Sequence, residues 1–370
     1  MITLYGAPHS LYTGRARSYL IKAGLPYRET AAISQHYGTH VKPNAGGRHG
    51  LPTVELADGN VIRDGAAIID HFEAQNGHAF SPKTPKQHLF SLLLDVIGAE
   101  GLLRPAMHYR WNFDAENLPF LRLHFEMLVP DRPDRSALAL KVENQMRGAA
   151  QAFGVTPERY ALIEALYLDV LKALDAHFED HAYLLGGRPC IGDFGMLAPL
   201  FAHLGRDPKP LALMQTEAPR VYRWVERMNR ADPDLLEYAG MDDAYLPNDD
   251  IPDSLLAALN VLAEDFVPET LAAAACINSW LADQADLAPG SECLRGVGFA
   301  SFEVRGDPIS ALAQPYRFYL LARVQDAFEA MDETDQTETR RLLEQIQMAD
   351  LLDARLDRKI GRANNLEVWL

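Results

Sequence analysis

The 370-residue sequence predicts an α+β protein built in three parts. Residues 1–80 alternate strand and helix patterns, residues 85–245 have helical periodicity almost throughout, and residues 246–370 form an acidic, mainly helical extension. A chain of this length is long enough for two or three domains that each bury a core. Hydrophobic residues make up 48% and charged residues 23%, which is the mixture of a folded globular protein.

The first part begins with a strand, a turn and a helix. Residues 2–5 are rich in β formers, the Gly-Ala-Pro of residues 6–8 ends this strand, and apolar residues recur at helical spacing over residues 10–23. A second short strand is predicted at residues 27–30, followed by a polar, Gly- and His-rich loop over residues 34–50.

A β-hairpin and a further helix complete this part. Residues 51–56 and 61–62 have strand character and are joined by Asp58-Gly59, a strong signal for a hairpin turn. The pattern returns to helix over residues 64–74. The predicted order is therefore β-α-β, a long loop, and β-β-α.

Helices account for most of the remaining chain. In the second part they are predicted near residues 86–112, 117–129, 136–152, 156–181, 191–204 and 217–230. Residues 247–253 contain two prolines and three acids and are interpreted as a linker. In the extension, helices are predicted near residues 253–265, 269–286, 309–331 and 335–357, with a short strand possible within 290–307. Its aromatic residues Tyr316, Phe318 and Tyr319 are interpreted as its own core.

The charge distribution limits the possible partners. The chain carries 35 Lys+Arg and 51 Asp+Glu, for a net charge of −16. Residues 246–370 contribute −12 of this charge, so the extension has a different surface from the rest. Because an acidic surface repels phosphate groups, we expect neither nucleic acid nor anionic membranes as partners.

Cysteine usage and hydropathy indicate a cytoplasmic protein. The three cysteines form no CxxC pair and no closely spaced set typical of a secreted disulfide scaffold. No apolar run reaches the ~18 residues of a membrane span, and the first residues lack the features of a signal peptide. Two histidine pairs, 36/40 and 177/181, have i, i+4 spacing but no third ligand, so no metal site is predicted.

Four sequence motifs follow one another along the chain: LYGAPHSLYTGRARSYLIKAGLPY at 4–27, LPTVEL at 51–56, DGNVIRDGAAIIDHF at 58–72 and LLGGRPCIGDFGMLAPLFAHL at 184–204. Together, and in this order, they resemble the cytosolic glutathione S-transferases (GSTs) of the serine type. The resemblance implies a thioredoxin-like domain over residues 1–80 and the all-helical GST C-terminal domain over residues 85–245. It does not extend to residues 246–370.

The resemblance implies that glutathione is a co-substrate whose sulfur is held as the thiolate. A free thiol with a pKa of ~8.5 is only about 3% ionised at pH 7, so the site must stabilise the anion. Ser10 matches the position of the hydroxyl that donates to the sulfur, and it is also a favourable helix N-cap. Tyr5 is the alternative donor, and Tyr12 is a weaker third candidate.

The same resemblance assigns residues to the rest of the tripeptide. Pro52 matches a cis proline that exposes the backbone of Leu51 to the cysteinyl unit. Asp64 and Gly65 match the site of the γ-glutamyl end, but glycine replaces the usual Ser or Thr, so a hydroxyl is missing. The candidates for the glycyl carboxylate are His40, Lys42, Arg48 and His49, and we favour Arg48 and His49.

The helical domain offers an acceptor pocket and a structural motif. A pocket for a small hydrophobic electrophile can be lined by Met107, His108, Tyr109 and Trp111. The alternative is that these residues belong to the core or to a dimer interface. Cys190 and Asp193 are predicted to form a capping box, with Cys190 as a buried thiol.

The resemblance predicts a homodimer and a GST-like transferase. The alternative is a catalytically silent GST-fold module in which the extension provides a partner surface or a lid.

Overall fold

A four-stranded sheet organises the first 80 residues. The computed structural model describes residues 1–48 and 50–370. The elements here are β1 (Ile2–Tyr5), α1 (Leu11–Lys22), β2 (Tyr27–Thr30), α2 (Lys42–Asn44), β3 (Thr53–Glu55), β4 (Val61–Arg63) and α3 (Gly65–Gln75). The sheet has the order β2-β1-β3-β4, with β1 and β2 parallel and the other pairs antiparallel. This order confirms the β-α-β and β-β-α halves, and it leaves β4 at an edge.

The predicted loop over residues 34–50 contains short helical structure. A π-helical turn over Tyr37–Val41 leads directly into α2. The Asp58-Gly59 turn is present as predicted, and Gly59 has a φ of 88°, a conformation that glycine adopts without steric cost.

The second part is all-helical, as predicted. Its helices are α4 (Pro85–Glu100), α5 (Leu103–Trp111), α6 (Asp114–Glu126), α7 (Arg135–Gly148), α8 (Tyr160–Asp180), α9 (Ile191–Ala202), α10 (Pro208–Glu217) and α11 (Pro219–Met228). Helices α4 and α9 cross closely at two glycines. A Cβ on Gly98 would lie 2.2 Å from the carbonyl carbon of Gly195, so a larger residue does not fit at the crossing. The helix predicted near residues 86–112 is interrupted at Gly101 and Leu102, which separate α4 from α5.

The segment interpreted as a linker is bound to the helical domain. The carboxylate of Asp249 accepts hydrogen bonds from the amides of Lys86 and Gln87, both at 2.8 Å, and so caps the N-terminus of α4. Ile251 is buried. The interpretation of residues 247–253 as a loose linker is therefore wrong.

The extension is mainly helical but also contains two β-hairpins. Its elements are α12 (Asp253–Ala282), β5 (Phe299–Val304), β6 (Asp307–Leu312), α13 (Pro315–Glu329), α14 (Glu333–Gln345), β7 (Ile360–Ala363) and β8 (Leu366–Trp369). The two helices predicted over residues 253–286 are one helix, which continues through Pro268. The helix predicted from residue 309 begins only at Pro315, because residues 307–312 pair with β5. The helix predicted over 335–357 ends at Gln345, and Gln347 has a φ of 59°.

The extension shares the main hydrophobic core instead of forming its own. Helix α13 packs along α4, and α12 packs along α8. Phe318 is buried in the same cluster as residues of the sheet and of the helical domain. The interpretation of the aromatic residues of α13 as a separate core is therefore wrong.

The extension also covers the edge of the sheet. The side-chain amide of Asn365 donates to the carbonyl of Val61 at 2.9 Å, and its oxygen accepts from the amide of Arg63 at 3.1 Å. Asn365 thus satisfies both kinds of backbone group on the free side of β4. Within the described part of the chain, no helix has both the length and the apolar character that a membrane crossing requires.

Candidate functional site

Ser10 lies where the first strand passes into the first helix. Its backbone is extended and its Oγ accepts a hydrogen bond from the amide of Thr13 at 3.4 Å, so it caps α1. The side chain is half-buried. Among the described residues, no acceptor is found for the Ser10 hydroxyl hydrogen. A capping serine can therefore still donate to a ligand at the positive end of the helix dipole.

The Tyr5 hydroxyl is bound to another group. It donates to Glu55 Oε2 at 2.9 Å, and the ring packs against Tyr37 in the interior. Burial and the Glu55 carboxylate raise the pKa of Tyr5 to about 12. Between Ser10 and Tyr5, Ser10 is therefore the residue whose hydroxyl hydrogen has no acceptor among the described residues.

The proline-bearing strand follows the predicted geometry. The Leu51–Pro52 peptide bond is cis. Leu51 is half-buried, and neither its amide nor its carbonyl is hydrogen-bonded to any described residue. The backbone of Leu51 thus has both a donor and an acceptor available to an extended ligand.

Asp64 opens helix α3 with an unusual backbone conformation. It has a φ of 89°, and its Oδ1 accepts from the amides of Ala66 at 3.0 Å and Ala67 at 3.1 Å. Tyr316 of the extension donates to its other oxygen, Oδ2, at 2.7 Å. Gly65 follows as the first residue of the helix and is buried. Asp64, which is predicted to bind the γ-glutamyl end, therefore also contacts residues 246–370.

The basic loop is likewise in contact with the extension. Arg48 is paired with Glu292 and donates to the carbonyl of Cys293 at 2.8 Å. His40 stacks on His36, 5.1 Å away, and its Nε2 lies 3.7 Å from a Glu55 oxygen. His49, the other predicted ligand of the glycyl carboxylate, lies outside the described residues. The structure brings Arg48 to the extension and His40 to strand β3.

The structure contains a buried polar cluster beside Ser10 that the sequence analysis does not predict. The carbonyl of His9 accepts from Arg110 Nη1 at 2.9 Å, and Arg110 also binds Asp207 at 2.7 Å and His203 Nε2 at 2.7 Å. Burial and the charge of Arg110 lower the pKa of His9 well below its usual value, so its imidazole is neutral. This cluster fixes the turn that carries Ser10 against α5. Arg110 lies about a hundred residues from His9 on one side and from His203 and Asp207 on the other, so no local pattern indicates the cluster.

Residues proposed to line an acceptor pocket are buried instead in the helical domain. Met107 and Trp111 belong to a core cluster with Phe125. His108 is paired with Glu164 at 2.9 Å, and Tyr109 is buried. Their packing supports the core alternative that the sequence left open.

The capping box of the helical domain is confirmed. The Cys190 amide donates to Asp193 Oδ2 at 2.9 Å, and Asp193 Oδ1 accepts from Trp224 Nε1 at 2.9 Å. Burial raises the pKa of the Cys190 thiol well above its usual value, which agrees with a structural role. Across residues 1–48 and 50–370, no group of three or more metal-ligating side chains is found.

Family models match the two parts on which the site is built. Residues 4–81 match the model described as the glutathione S-transferase N-terminal domain, and residues 164–232 match the one described as the glutathione S-transferase C-terminal domain. Neither match reaches residues 246–370. A search of curated proteins gave no match.

Solved structures similar to this chain include two glutathione transferases and a β-etherase. Glutathione transferase GSTFuA3 from Phanerochaete chrysosporium is 15% identical, with 62% of this chain and 97% of that chain covered and a TM-score of 0.44. The β-etherase LigF from Sphingobium sp. strain SYK-6 is 15% identical, with coverage of 62% and 94% and a TM-score of 0.42. A glutathione S-transferase from Methylobacterium radiotolerans, in complex with glutathione sulfonate, is 15% identical, with coverage of 63% and 92% and a TM-score of 0.38.

Proposed function

Since this chain belongs to the glutathione S-transferase superfamily, we propose that it binds glutathione and activates its thiol for attack on a small apolar electrophile. The observation that carries the proposal is the free hydroxyl hydrogen of Ser10 at the N-terminus of α1. The cysteinyl unit of the peptide pairs with the backbone of Leu51, and its γ-glutamyl end binds at Asp64 and Gly65. Arg48 is the ligand for the glycyl carboxylate among the described residues.

The chemistry requires a modest stabilisation of the thiolate. Lowering a thiol pKa by about 2 units, or roughly 2.7 kcal/mol, makes the sulfur predominantly ionised at neutral pH. The Ser10 hydroxyl donates to the anion, and the amides at the start of α1 add partial positive charge. The thiolate then forms a carbon–sulfur bond to the electrophile, and the leaving group departs with the bonding electrons.

A thiolate titration tests the role of Ser10. The ultraviolet absorbance of the thiolate is followed against pH for glutathione bound to the wild type, to Ser10→Ala and to Ser10→Thr. The wild type and Ser10→Thr should lower the thiol pKa, whereas Ser10→Ala should return it toward ~8.5 and reduce conjugation of an activated aryl chloride. Binding of glutathione with an unshifted thiol pKa in the wild type would contradict the proposed activation.

A second candidate is a catalytically silent module. It is favoured by one observation, that Asp64 and Arg48, at the two ends of the peptide site, both bind groups of the extension. Calorimetric titration separates the candidates, since a silent module should give no heat with glutathione at millimolar concentration.

Homodimerisation stays a prediction. The extension covers the edge of β4 and one side of α4, so a second copy has to bind elsewhere on the chain. Sedimentation velocity of the full-length protein over a range of concentrations measures whether such a dimer forms.

A further inference from the structure

One arginine–histidine pair of the buried cluster beside Ser10 has its charge neutralised. His203 Nδ1 donates to the carbonyl of Ala106 at 3.0 Å, and its Nε2 accepts from Arg110 Nη1 at 2.7 Å. Arg110 also donates twice to the carboxylate of Asp207, at 2.7 and 3.0 Å. The neutral histidine thus orients the guanidinium group, and the carboxylate balances its charge.

A second arginine–histidine pair has the same pattern but lacks a carboxylate. His124 Nδ1 donates to the carbonyl of Phe120 at 2.7 Å, and its Nε2 accepts from Arg206 Nη2 at 2.8 Å. The guanidinium group of Arg206 lies 5.4 Å from the ring centre of Phe120 and 5.9 Å from that of Phe201. Its buried Nε has no hydrogen-bond partner, and no carboxylate among residues 1–48 and 50–370 forms an ion pair with it. Most donors of Arg206 are therefore unused.

His9 joins the second pair to the turn that carries Ser10. Its ring contacts the ring of His124, with centroids 5.3 Å apart, and the ring of Phe125, with centroids 5.0 Å apart. The side chain is 4% exposed, and its Nδ1 has no hydrogen-bond partner among the described residues. Leaving a buried polar group unbonded is costly, which points to a ligand that satisfies it. Because His9 directly precedes Ser10, one ring contact separates the second pair from the residue next to the proposed thiolate site.

The charges around the turn leave one cation unmatched. Arg17 donates to both carboxylate oxygens of Glu29, at 2.6 and 2.7 Å, and Arg110 is paired with Asp207. The three histidines of the cluster are neutral, since burial lowers the pKa of each of them. Burial, and then the charge of Arg17, also lower the pKa of Arg206. Arg206 therefore supplies a half-buried positive charge that no described carboxylate neutralises.

We propose that Arg206 and His9 form a binding subsite for an acidic group, such as a carboxylate, of the electrophile. This inference rests on the function proposed above and specifies its substrate as a largely apolar aromatic molecule with one negative charge. Arg206 has five N–H donors, of which the described residues use one, and a neutral His9 can donate one more. His124 holds the guanidinium group in place, and the two half-buried phenylalanine rings beside it provide apolar surface for the body of the electrophile.

Two substrates that differ only in this group test the proposal. They are a chloronitrobenzoate, with its chlorine para to the carboxylate, and the chloronitrobenzamide of the same pattern. In each, the thiolate sulfur of glutathione bonds to the ring carbon, and chloride leaves with the bonding electrons. Each rate is divided by the uncatalysed rate with glutathione, which removes the difference in intrinsic reactivity. The wild type should then have a kcat/KM at least about tenfold higher for the benzoate.

Variants of Arg206 separate its charge from its packing. Arg206→Met removes the charge and should reduce the preference to about threefold or less, chiefly through a higher KM for the benzoate, because the ion pair is present in both the bound state and the transition state. Arg206→Lys keeps the charge and should give an intermediate preference. His9→Phe keeps an aromatic ring without the N–H and should reduce the preference to a smaller extent than Arg206→Met. A merely structural role would instead lower the rates with both substrates equally.

Arg340 of α14 provides a matched control. It also lies over a phenylalanine ring, that of Phe328 at 5.2 Å, but its side chain is 42% exposed and 3.9 Å from Asp353. Arg340→Met should keep the wild-type preference, and circular dichroism checks that each variant is folded. Calorimetry should give the same affinity for glutathione in the wild type and in Arg206→Met, because the acidic group belongs to the electrophile and not to the peptide.

The outcomes separate this inference from the function on which it rests. If the wild type conjugates both substrates without preferring the benzoate, or if Arg206→Met keeps the full preference, the acidic subsite is overturned and the proposed function stands. If Arg206→Met weakens the binding of glutathione itself, Arg206 serves the peptide and the inference is likewise overturned. If the wild type conjugates neither substrate, both proposals are overturned.

Discussion

Acid is expected to weaken the junction between the helical domain and the extension through His177. This residue of α8 is completely buried, and its Nδ1 lies 2.9 Å from the hydroxyl of Ser254 in α12. Its ring stacks on His181, with centroids 4.9 Å apart. Burial, and then the charge of His181, lower the pKa of His177 to about 3.

The size and sign of the effect follow from proton binding. The unfolded chain protonates His177 near its ordinary pKa of 6.5, whereas the folded chain keeps it neutral down to about pH 3. Between these values the unfolded state binds more protons, so the free energy of unfolding falls as the pH falls. At 1.36 kcal/mol per pH unit, lowering the pH from 7 to 5 should cost about 2 kcal/mol from this residue alone.

Urea denaturation at pH 7 and pH 5 measures this cost. His177→Asn keeps a group that can bond to Ser254 but does not titrate, so its free energy of unfolding should fall about 2 kcal/mol less than that of the wild type. His78 is exposed, and His78→Asn should retain the wild-type pH dependence. Equal pH dependence in the wild type and His177→Asn would refute the reasoning.

Three further outcomes are expected from burial. In the native protein a thiol reagent should label only Cys276, the one half-buried cysteine, and denaturation should expose all three thiols. Trp369→Ala should lower the free energy of unfolding by about 3–5 kcal/mol in urea, because this fully buried ring packs in the main core. Arg15→Met should cost about 3 kcal/mol, since it leaves the buried Asp95 with only Arg323, at 3.2 Å. Adding Asp95→Asn should recover part of that loss, and a further loss would contradict the ion-pair account.

The parts that the sequence predicts well are those with local causes. The strand, turn and helix around Ser10 and the hairpin at Asp58-Gly59 are each encoded within a few residues, through β formers, a capping residue and a glycine with positive φ. The order of strands and helices along the first 80 residues and the all-helical second part follow from such patterns.

The parts that the sequence does not predict depend on distant contacts. Pro268 normally ends a helix, but α12 is held against α8 and β5, and this packing outweighs the lost hydrogen bond. The contact between Tyr316 and Asp64 joins positions 252 residues apart. Neither residue carries a local signal for the other, so the contribution of the extension to the candidate site required the structure.

The dependence of β4 on Asn365 also has a consequence for synthesis on the ribosome. The amide of Arg63 and its bonding partner are 302 residues apart, so the edge strand emerges long before the residue that covers it. At 5–20 residues per second, this interval is roughly 15–60 s. During that time the nascent sheet has unpaired backbone groups that can recruit another strand. A chaperone that shields this edge is therefore expected to raise the yield of folded protein, and chains interrupted before residue 365 are expected to aggregate.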